Sequence, residues 1–439
     1  MKKNETKKGY YLYQSPYVTN CCVIALVAFI LGAWIWAAKH SWGIEPISKG
    51  IGSGVGILGY TLLAFSLFLS SRWKKLEDWI GGLDRVYHLH HKVGLWGFYL
   101  LLAHPWINAM KWLPQRLDHF FLFIFPFHHR VSVNLGSYAF WLMLIIIVIT
   151  IFKLLPYDKW KLTHKFMALV FVLASLHFLL SSRRFNPSFL SLTPLFIPMC
   201  LGLFGIGYKQ IWMPFFFHYS KYVVTDAQKI NDNTMMVTLK PKERPLNFIP
   251  GQYAFFSFRE NLSKEQHPFT TCHFQNSSIF ILAKVRGDFT RSLYEKLCKG
   301  TSVLLEGPYG RFDYRCCIEN QIWLAGGIGI VPFLAWSQSF EKWPGKVDLF
   351  YCVHREVDVL FLNELQSLQK KKPLFNLHIY CTENKQRLTI ENIVGVVSDL
   401  NKRDIFMCGP KRLTSHFLRE FQNKGIKRAN IHFEDFEFF

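Results

Sequence analysis

The sequence predicts three folds in series: a six-span α-helical membrane bundle (residues 1–213), an antiparallel β-barrel (218–314) and an α/β domain (318–439). Three observations predict it. Half the residues are hydrophobic, 42 of them Phe, and only 18% are charged, below the roughly 25% of soluble domains. The apolar residues gather in long runs before Trp212. After His218 the pattern turns to short strands between Gly and Pro turns, then to strand–helix alternation.

Six runs approach the roughly 20 residues that span a bilayer: Thr19–Ala38, Ile51–Ser71, Val93–Lys111, Leu135–Leu155, Leu162–Ser181 and Phe189–Trp212. The first is a span and not a signal peptide, because a long polar lead precedes it and five further spans follow. Between spans two and three, Trp73–His90 mixes Trp73, Leu76, Trp79, Ile80 and Leu83 with charges. That pattern predicts an amphipathic helix on the inner surface.

The formal charge is +21. Its Lys and Arg do not gather on a recognition element, so nucleic acid is not the expected partner. In the first half they divide unequally between alternate connections. One set holds Lys2, Lys3, Lys7 and Lys8, then Arg72, Lys74, Lys75, Arg85 and Lys92, then Lys153, Lys159, Lys161 and Lys165, then Lys209. The opposite set holds only Lys39, Lys49, Lys111, Arg116, Arg130, Arg183 and Arg184. Cytoplasmic loops are enriched in Lys and Arg. The N-terminus and the second half are therefore expected in the cytoplasm, with the chain multi-pass in the plasma membrane and lipid as a partner. None of the ten Cys forms a CxxC pair, so neither a zinc ribbon nor a disulfide framework is expected.

Within the second half, Tyr222–Ala227, Thr234–Lys240, Tyr253–Phe258, Ile279–Val285 and Ser302–Glu306 read as barrel strands. From Gln321 the alternation becomes Gln321–Ala325, Pro332–Lys342, Val347–Val353, Leu360–Lys370, Phe375–Cys381, Asp404–Cys408 and Lys411–Lys424, a parallel α/β pattern.

Histidines inside the spans are the first chemical signal. Span three carries His91 at its inner end and His104 deeper; span five carries His164 and His177 in the same way. Ionisable groups within a span are costly and mark function. Both spacings are thirteen residues, about 20 Å of helical rise. His91 can then meet His164 near the inner face, and His104 can meet His177 near the outer face. Each pair offers two neutral imidazoles to one haem iron, and two axial His make an electron carrier rather than an oxygen binder. Thirteen steps of about 100° rotate by about 220°, whereas fourteen return to within about 40°. His90, fourteen residues before His104, is therefore the rival of His91; with His91 a π-bulge or tilt must bring the ligands round.

The second half carries the other motifs. His267-Pro268-Phe269-Thr270 offers a flat aromatic and a hydroxyl that can stack on and hydrogen-bond to an isoalloxazine. Arg286-Gly287-Asp288-Phe289-Thr290-Arg291 opens a helix whose N–H groups can face a pyrophosphate. Gly307-Pro308-Tyr309-Gly310 closes the barrel region as a turn. In Ala325-Gly326-Gly327-Ile328-Gly329-Ile330-Val331-Pro332, Gly326, Gly327 and Gly329 let the backbone approach a dinucleotide phosphate, and Pro332 suits the first helical turn. Cys408-Gly409-Pro410 ends a strand, where open α/β sheets bind ligands, and puts a thiol near a nicotinamide. Arg355, just after Val347–Val353, can face a 2′-phosphate, which tilts the donor toward NADPH over NADH.

In this order, after six spans with paired His, the motifs resemble the ferric reductase and NADPH oxidase superfamily across nearly the whole chain, and most of all its prokaryotic-type NADPH oxidases. The second half resembles a ferredoxin–NADP reductase module. The resemblance implies FAD held by His267–Thr270 and the Arg286–Thr290 turn, NAD(P)H held by the Gly-rich turn and Cys408–Pro410, and two b-type haems held by His on spans three and five. His91-Lys92 and His104-Pro105 resemble the third-span pattern. Phe433-Glu434-Asp435-Phe436 resembles the reductase terminus, whose aromatic covers the flavin where nicotinamide must dock; Phe436 takes that role, with Phe438 second. Thr271-Cys272-His273 departs from the small hydroxyl residues expected after HPFT. No EF-hand loop precedes the spans.

The implied activity is electron transfer from cytoplasmic NAD(P)H through FAD and two haems to an acceptor across the membrane. Three acceptors stay open: O2 giving superoxide, which is expected first, a ferric or cupric chelate, or an extracytoplasmic partner protein. His119, His128, His129 and Arg130, between spans three and four, bear on the second, although only the adjacent pair has tight ligand spacing. Arg183 and Arg184 can concentrate anions outside.

Overall fold

The computed structural model describes residues 47–182, 189–216, 219–259, 265–273, 277–338, 343–383 and 387–434. They form two compact units: residues 47–80 with 85–216, and residues 219–434 with 81–84. The expected span Thr19–Ala38, together with Arg183, Arg184, Phe436 and Phe438, lies outside the described residues.

The first unit is helical, as a backbone in lipid must satisfy its own hydrogen bonds. Helices run Ile47–Leu69, Leu83–Ala109, Val131–Ile151, Tyr157–Lys165, Met167–Ser182 and Phe189–Gly207. Among the described residues three stretches are long and apolar enough to cross a membrane: Gly50–Leu69, Val131–Ile151 and Lys159–Ser181. Of the other expected spans, Val93–Lys111 does not meet that measure, and Phe189–Gly207 is an uncharged apolar helix. In Leu83–Ala109 the polar groups His104 and Asn108 dilute the apolar run. Tyr60, Ala64, Phe98, Met143 and Phe171 share the core of this unit. Tyr99, Ile145, Phe152 and Leu162 point outward, as expected where lipid is the solvent.

Trp73–His90 is not one surface helix. A short helix, Lys74–Ile80, ends at Gly81 and Gly82, whose φ of 92° and 133° stop it. From Leu83 the chain is already in the long helix that carries the His. A second interruption falls at Phe166, between Tyr157–Lys165 and Met167–Ser182, where the Phe166 N–H bonds the Thr163 carbonyl three residues back at 3.0 Å.

The second unit holds two sheets. Strands β1 (Ser220–Asn231), β2 (Thr234–Pro241), β3 (Tyr253–Phe258), β4 (His267–Thr270), β5 (Cys272–His273), β6 (Ile279–Lys284) and β7 (Ser302–Tyr309) pair antiparallel in the order β4-β3-β7-β1-β2-β6-β5. The sheet is open, not the closed barrel expected. One chain segment serves both edges: β4 pairs with β3 and β5 with β6, and Thr271 makes the passage between them. Both the N–H and the Oγ1 of Thr271 are spent on the Gln252 carbonyl, at 3.0 and 3.1 Å, so no ladder closes there.

Strands β8 (Gln321–Gly326), β9 (Val347–Val353), β10 (Phe375–Cys381), β11 (Asp404–Cys408) and β12 (Ile431–Glu434) form a parallel sheet, β10-β9-β8-β11-β12. Their near-continuous apolar runs are what a sheet covered on both faces needs. The expected bounds of β9, β10 and β11 agree with the structure. The edge strand β12 and the helix Ile390–Val396 are additions. Both sheets share one core: Cys272 and Phe280 pack with Val331 and Trp336, and Trp336 Nε1 donates to the Pro250 carbonyl at 3.0 Å.

Candidate functional site

Two histidine pairs face each other inside the helical unit. The ring centres of His104 and His177 lie 6.4 Å apart with planes at 75°. Those of His90 and His164 lie 6.3 Å apart at 78°. An iron held midway needs about 2 Å to each imidazole nitrogen and about 1.1 Å from nitrogen to ring centre, or roughly 6.2 Å in all. Both pairs have that separation.

The ring that faces His164 is thus that of His90 and not of His91, whose side chain is exposed. Helix geometry explains the correction. Fourteen residues from His90 to His104 keep one face of an unbroken helix. From His164 to His177 the step is thirteen, and the interruption at Phe166 resets the phase.

Three of the four rings are oriented through their other nitrogen. His104 Nδ1 bonds the Gly52 carbonyl at 2.7 Å, His177 Nδ1 the Ser132 carbonyl at 2.6 Å, and His90 Nδ1 the Ser66 carbonyl at 2.8 Å. A carbonyl accepts only, so Nδ1 carries the proton and Nε2 keeps its lone pair for a metal. His164 Nδ1 is buried without a hydrogen-bond partner. Two glycines make room. A Cβ on Gly56 would run into the His104 ring, and one on Gly136 would come within 2.8 Å of His177 Nδ1. Facing imidazoles at iron-spanning distance, three of them with the proton held on Nδ1, fit haem.

The His104–His177 pair opens into a cavity of about 1100 Å³ that Lys111, His119, His128, His129 and Arg130 also line. Its histidines do not converge on a metal. His119 Nδ1 is held by Asp118 at 2.6 Å and Arg116 at 2.7 Å. His128 Nδ1 accepts the Arg130 N–H at 3.1 Å. Arg116 first, then His119, holds the exposed Asp118 carboxyl down at about 2. Burial, then His129, Arg130 and Lys111, pushes His128 below its ordinary value, so near neutral pH it adds no charge.

In the second unit the two expected flavin elements meet. His267 on β4 stacks on Phe289, ring centres 3.6 Å apart and planes at 12°, while its Nε2 bonds Glu265 at 3.0 Å. Phe269 instead packs into the sheet core against Phe256 at 5.7 Å. Alternation along a strand sends it to the opposite face from Thr270. Thr270 is buried. The Thr290 hydroxyl accepts the Arg286 and Gly287 N–H groups at 2.9 and 3.1 Å. It shapes the turn that starts the helix Asp288–Lys296. Beside Gly287 a Cβ would meet nothing within 4 Å, so this turn borders open space.

Thr271-Cys272-His273 is used for packing. Cys272 Sγ donates to the Val331 carbonyl at 3.5 Å, and His273 Nε2 bonds the Phe248 carbonyl at 3.1 Å.

The Gly-rich turn and Cys408-Gly409-Pro410 also come together, at the carboxyl ends of β8 and β11. A Cβ on Gly409 would lie 3.0 Å from Gly326 Cα, and one on Gly329 would strike the Cys408 carbonyl. Gly327, at φ 54°, borders open space. Pro332 stands in the first turn of Val331–Ser337, as expected. Backbone bared at strand ends fits a dinucleotide. The Cys408 side chain is fully buried, in one core cluster with Ala325 and Ile330. Arg355 follows β9, but Asp358 engages its Nε and Nη2 at 3.2 and 3.0 Å. The expected 2′-phosphate partner is already paired. Among the described residues no disulfide joins the cysteines.

Comparison with known proteins agrees with this division. Residues 219–313 match an FAD-binding domain and 323–418 an oxidoreductase NAD-binding domain. Residues 55–175 match the "Ferric reductase like transmembrane component". The toluate 1,2-dioxygenase electron transfer component of Pseudomonas putida is 24% identical over 222 residues, 48% of this chain and 66% of that protein. Ferric reduction oxidase 8, mitochondrial, of Arabidopsis thaliana is 29% identical over 168 residues, 33% of this chain and 23% of that protein. The chain thus covers less than two thirds of either. Among solved structures, the ferredoxin reductase in carbazole 1,9a-dioxygenase aligns with a TM-score of 0.44 and 20% identity, covering 50% of this chain and 69% of that one.

Fold and matched domains define a membrane-attached flavoprotein oxidoreductase that uses NAD(P)H. Its fusion of a ferric-reductase-like transmembrane domain to FAD- and NAD-binding domains fits the ferric reductase and NADPH oxidase superfamily.

Proposed function

We propose that the chain carries electrons from cytoplasmic NADPH or NADH, through FAD and two b-type haems, to an acceptor on the far side of the plasma membrane, with O2 reduced to superoxide. Residues 1–213 are the haem-bearing domain, 218–314 the FAD domain and 318–439 the nucleotide domain. The observation that carries this reading is the two facing histidine pairs at 6.3 and 6.4 Å.

When bound, FAD takes hydride from nicotinamide and the haems relay single electrons. The chain's own residues fix the geometry. His90 with His164 and His104 with His177 hold the two irons, and the carbonyls of Gly52, Ser66 and Ser132 set the tautomers. His267, Thr270 and the Arg286–Thr290 turn hold the flavin. Gly326, Gly327, Gly329, Gly409 and Pro410 would bring backbone to the dinucleotide, with Cys408 at the same strand end, and the flavin-covering role is assigned to Phe436 by the resemblance of its sequence context.

His104 and His177 would together hold the outer iron, so O2 would receive its electron without binding the metal. The dispersal of His119 and His128 onto Asp118, Arg116 and Arg130 supports O2 over a bound metal ion. Lys111 and Arg130 on the cavity wall favour a second reading, in which an anionic ferric chelate is the acceptor. Purified, FAD-supplemented protein given NADPH in air decides between them. Superoxide production, read as dismutase-sensitive cytochrome c reduction, is expected. Dismutase-insensitive cytochrome c reduction with fast anaerobic reduction of ferric citrate would reassign the acceptor to the chelate.

A further inference from the structure

Far from the nucleotide loops, three side chains of different donor type converge inside the second unit. His432 Nε2 lies 3.2 Å from Asp404 Oδ1 and 3.6 Å from Cys317 Sγ. All three ligand atoms fall within 4.8 Å of one another. The residues are 7%, 0% and 1% exposed. Among the described residues this is the one cluster of His, Cys and acidic groups so arranged.

We propose that Cys317, Asp404 and His432 form a binding site for a zinc-class divalent cation. A tetrahedral centre with about 2.3 Å to sulfur and about 2.0 Å to nitrogen and oxygen spaces its ligands by roughly 3.6 Å (S to N) and 3.3 Å (N to O). The observed separations are 3.6 and 3.2 Å. One ring nitrogen has a single in-plane direction for a proton or lone pair, yet here it faces two partners; a cation between them answers to all three. Ligand orientation is already fixed. The Ile318 N–H donates to the other Asp404 oxygen at 2.6 Å, and the His432 ring stacks on Phe406 at 4.7 Å. Thiolate and imidazole select a borderline ion over calcium or magnesium, which prefer oxygen.

Placement gives the site its role. Asp404 begins β11, His432 lies in β12, and Cys317 precedes β8. The cation would clamp the four-residue edge strand β12 to β11 and to the chain entering β8. Cys408 lies four residues up β11, about 13 Å away at 3.3 Å per residue, so the clamp is separate from the dinucleotide loops.

The test uses untagged, full-length, FAD-loaded protein in detergent, stripped with chelator and titrated with zinc alone. Zinc content after desalting and zinc-edge X-ray absorption are read, neither of which haem obscures. One zinc per chain is expected, with one sulfur at about 2.3 Å. Cys317→Ser and His432→Gln should weaken zinc binding by more than the roughly 10–100-fold that follows loss of a group merely orienting a ligand. Cys298→Ser, at an exposed thiol, should bind as before. Zinc washed off flavin-replete wild type, zinc without a sulfur neighbour, or zinc held by both ligand variants as tightly as by wild type would overturn the site. Should a variant fail to fold, the wild-type sulfur shell still decides.

Discussion

The two histidine pairs are built from the same residue type at almost the same separation, yet they are seated differently. At His104 and His177 both Nδ1 atoms end on backbone carbonyls, and a glycine clears each ring. At His90 and His164 only His90 is tied; His164 Nδ1 has no partner, and its helix is interrupted two residues later. One pair is fixed before any metal arrives. The other is fixed on one side only. Orientation of a ligand, and not its identity, is what separates them, and carbonyl tethers of this kind are worth about 10–100-fold in metal affinity.

The largest effect expected is loss of a whole haem. His104→Ala or His177→Ala should reduce two low-spin b-type haems per chain to one and cut NADPH-to-acceptor turnover by at least about 100-fold, since the outer iron loses one of its two His ligands; pyridine haemochrome content reads it. Next, His90→Ala should also lose one haem, while His91→Ala should keep two. Two haems surviving in His90→Ala would break the comparison. Gly136→Val should selectively disturb the outer haem by displacing His177, seen as partial outer-haem loss with the inner spectrum intact. Thr270→Ala should lower FAD affinity roughly tenfold, the order of one or two lost hydrogen bonds, with unchanged haem absorbance. The smallest effect concerns Arg355→Ala. Because Asp358 already engages the guanidinium, the KM for NADPH should rise no more than about threefold, a fraction of a charge-assisted bond. A rise of tenfold or more for NADPH alone would show that the arginine leaves Asp358 for a 2′-phosphate.

What was legible in the sequence followed from periodicity. Strands β9, β10 and β11 are uninterrupted apolar runs bounded by turns, and their ends could be read directly. The histidine levels were legible as well, because polar groups within apolar runs stand out. The choice of His91 over His90 went astray at a local break: the same thirteen-residue step was assumed in both helices, and nothing in Thr163-His164-Lys165-Phe166 announces an interruption. Gly56 and Gly136 had a visible signal, a glycine in an apolar run, but their ring partners are dozens of residues away. The open sheet turned on Thr271, whose bonds to Gln252 depend on tertiary approach. Arg355 had a local partner three residues on, and that i,i+3 pairing could have been read from Asp358 alone.

The fourteen residues between His90 and His104 also have an electrical meaning. They set the two levels about 21 Å apart along the helix, roughly two thirds of a 30 Å hydrocarbon core. With the His90 level on the cytoplasmic side, as proposed, each electron passing outward crosses about that fraction of the membrane potential. At 100 mV, negative inside, the field adds about 1.5 kcal/mol to the drive per electron. Turnover should therefore slow as the membrane depolarises and generate a current of its own, so the helical rise between two histidines becomes the distance over which the enzyme acts as a generator.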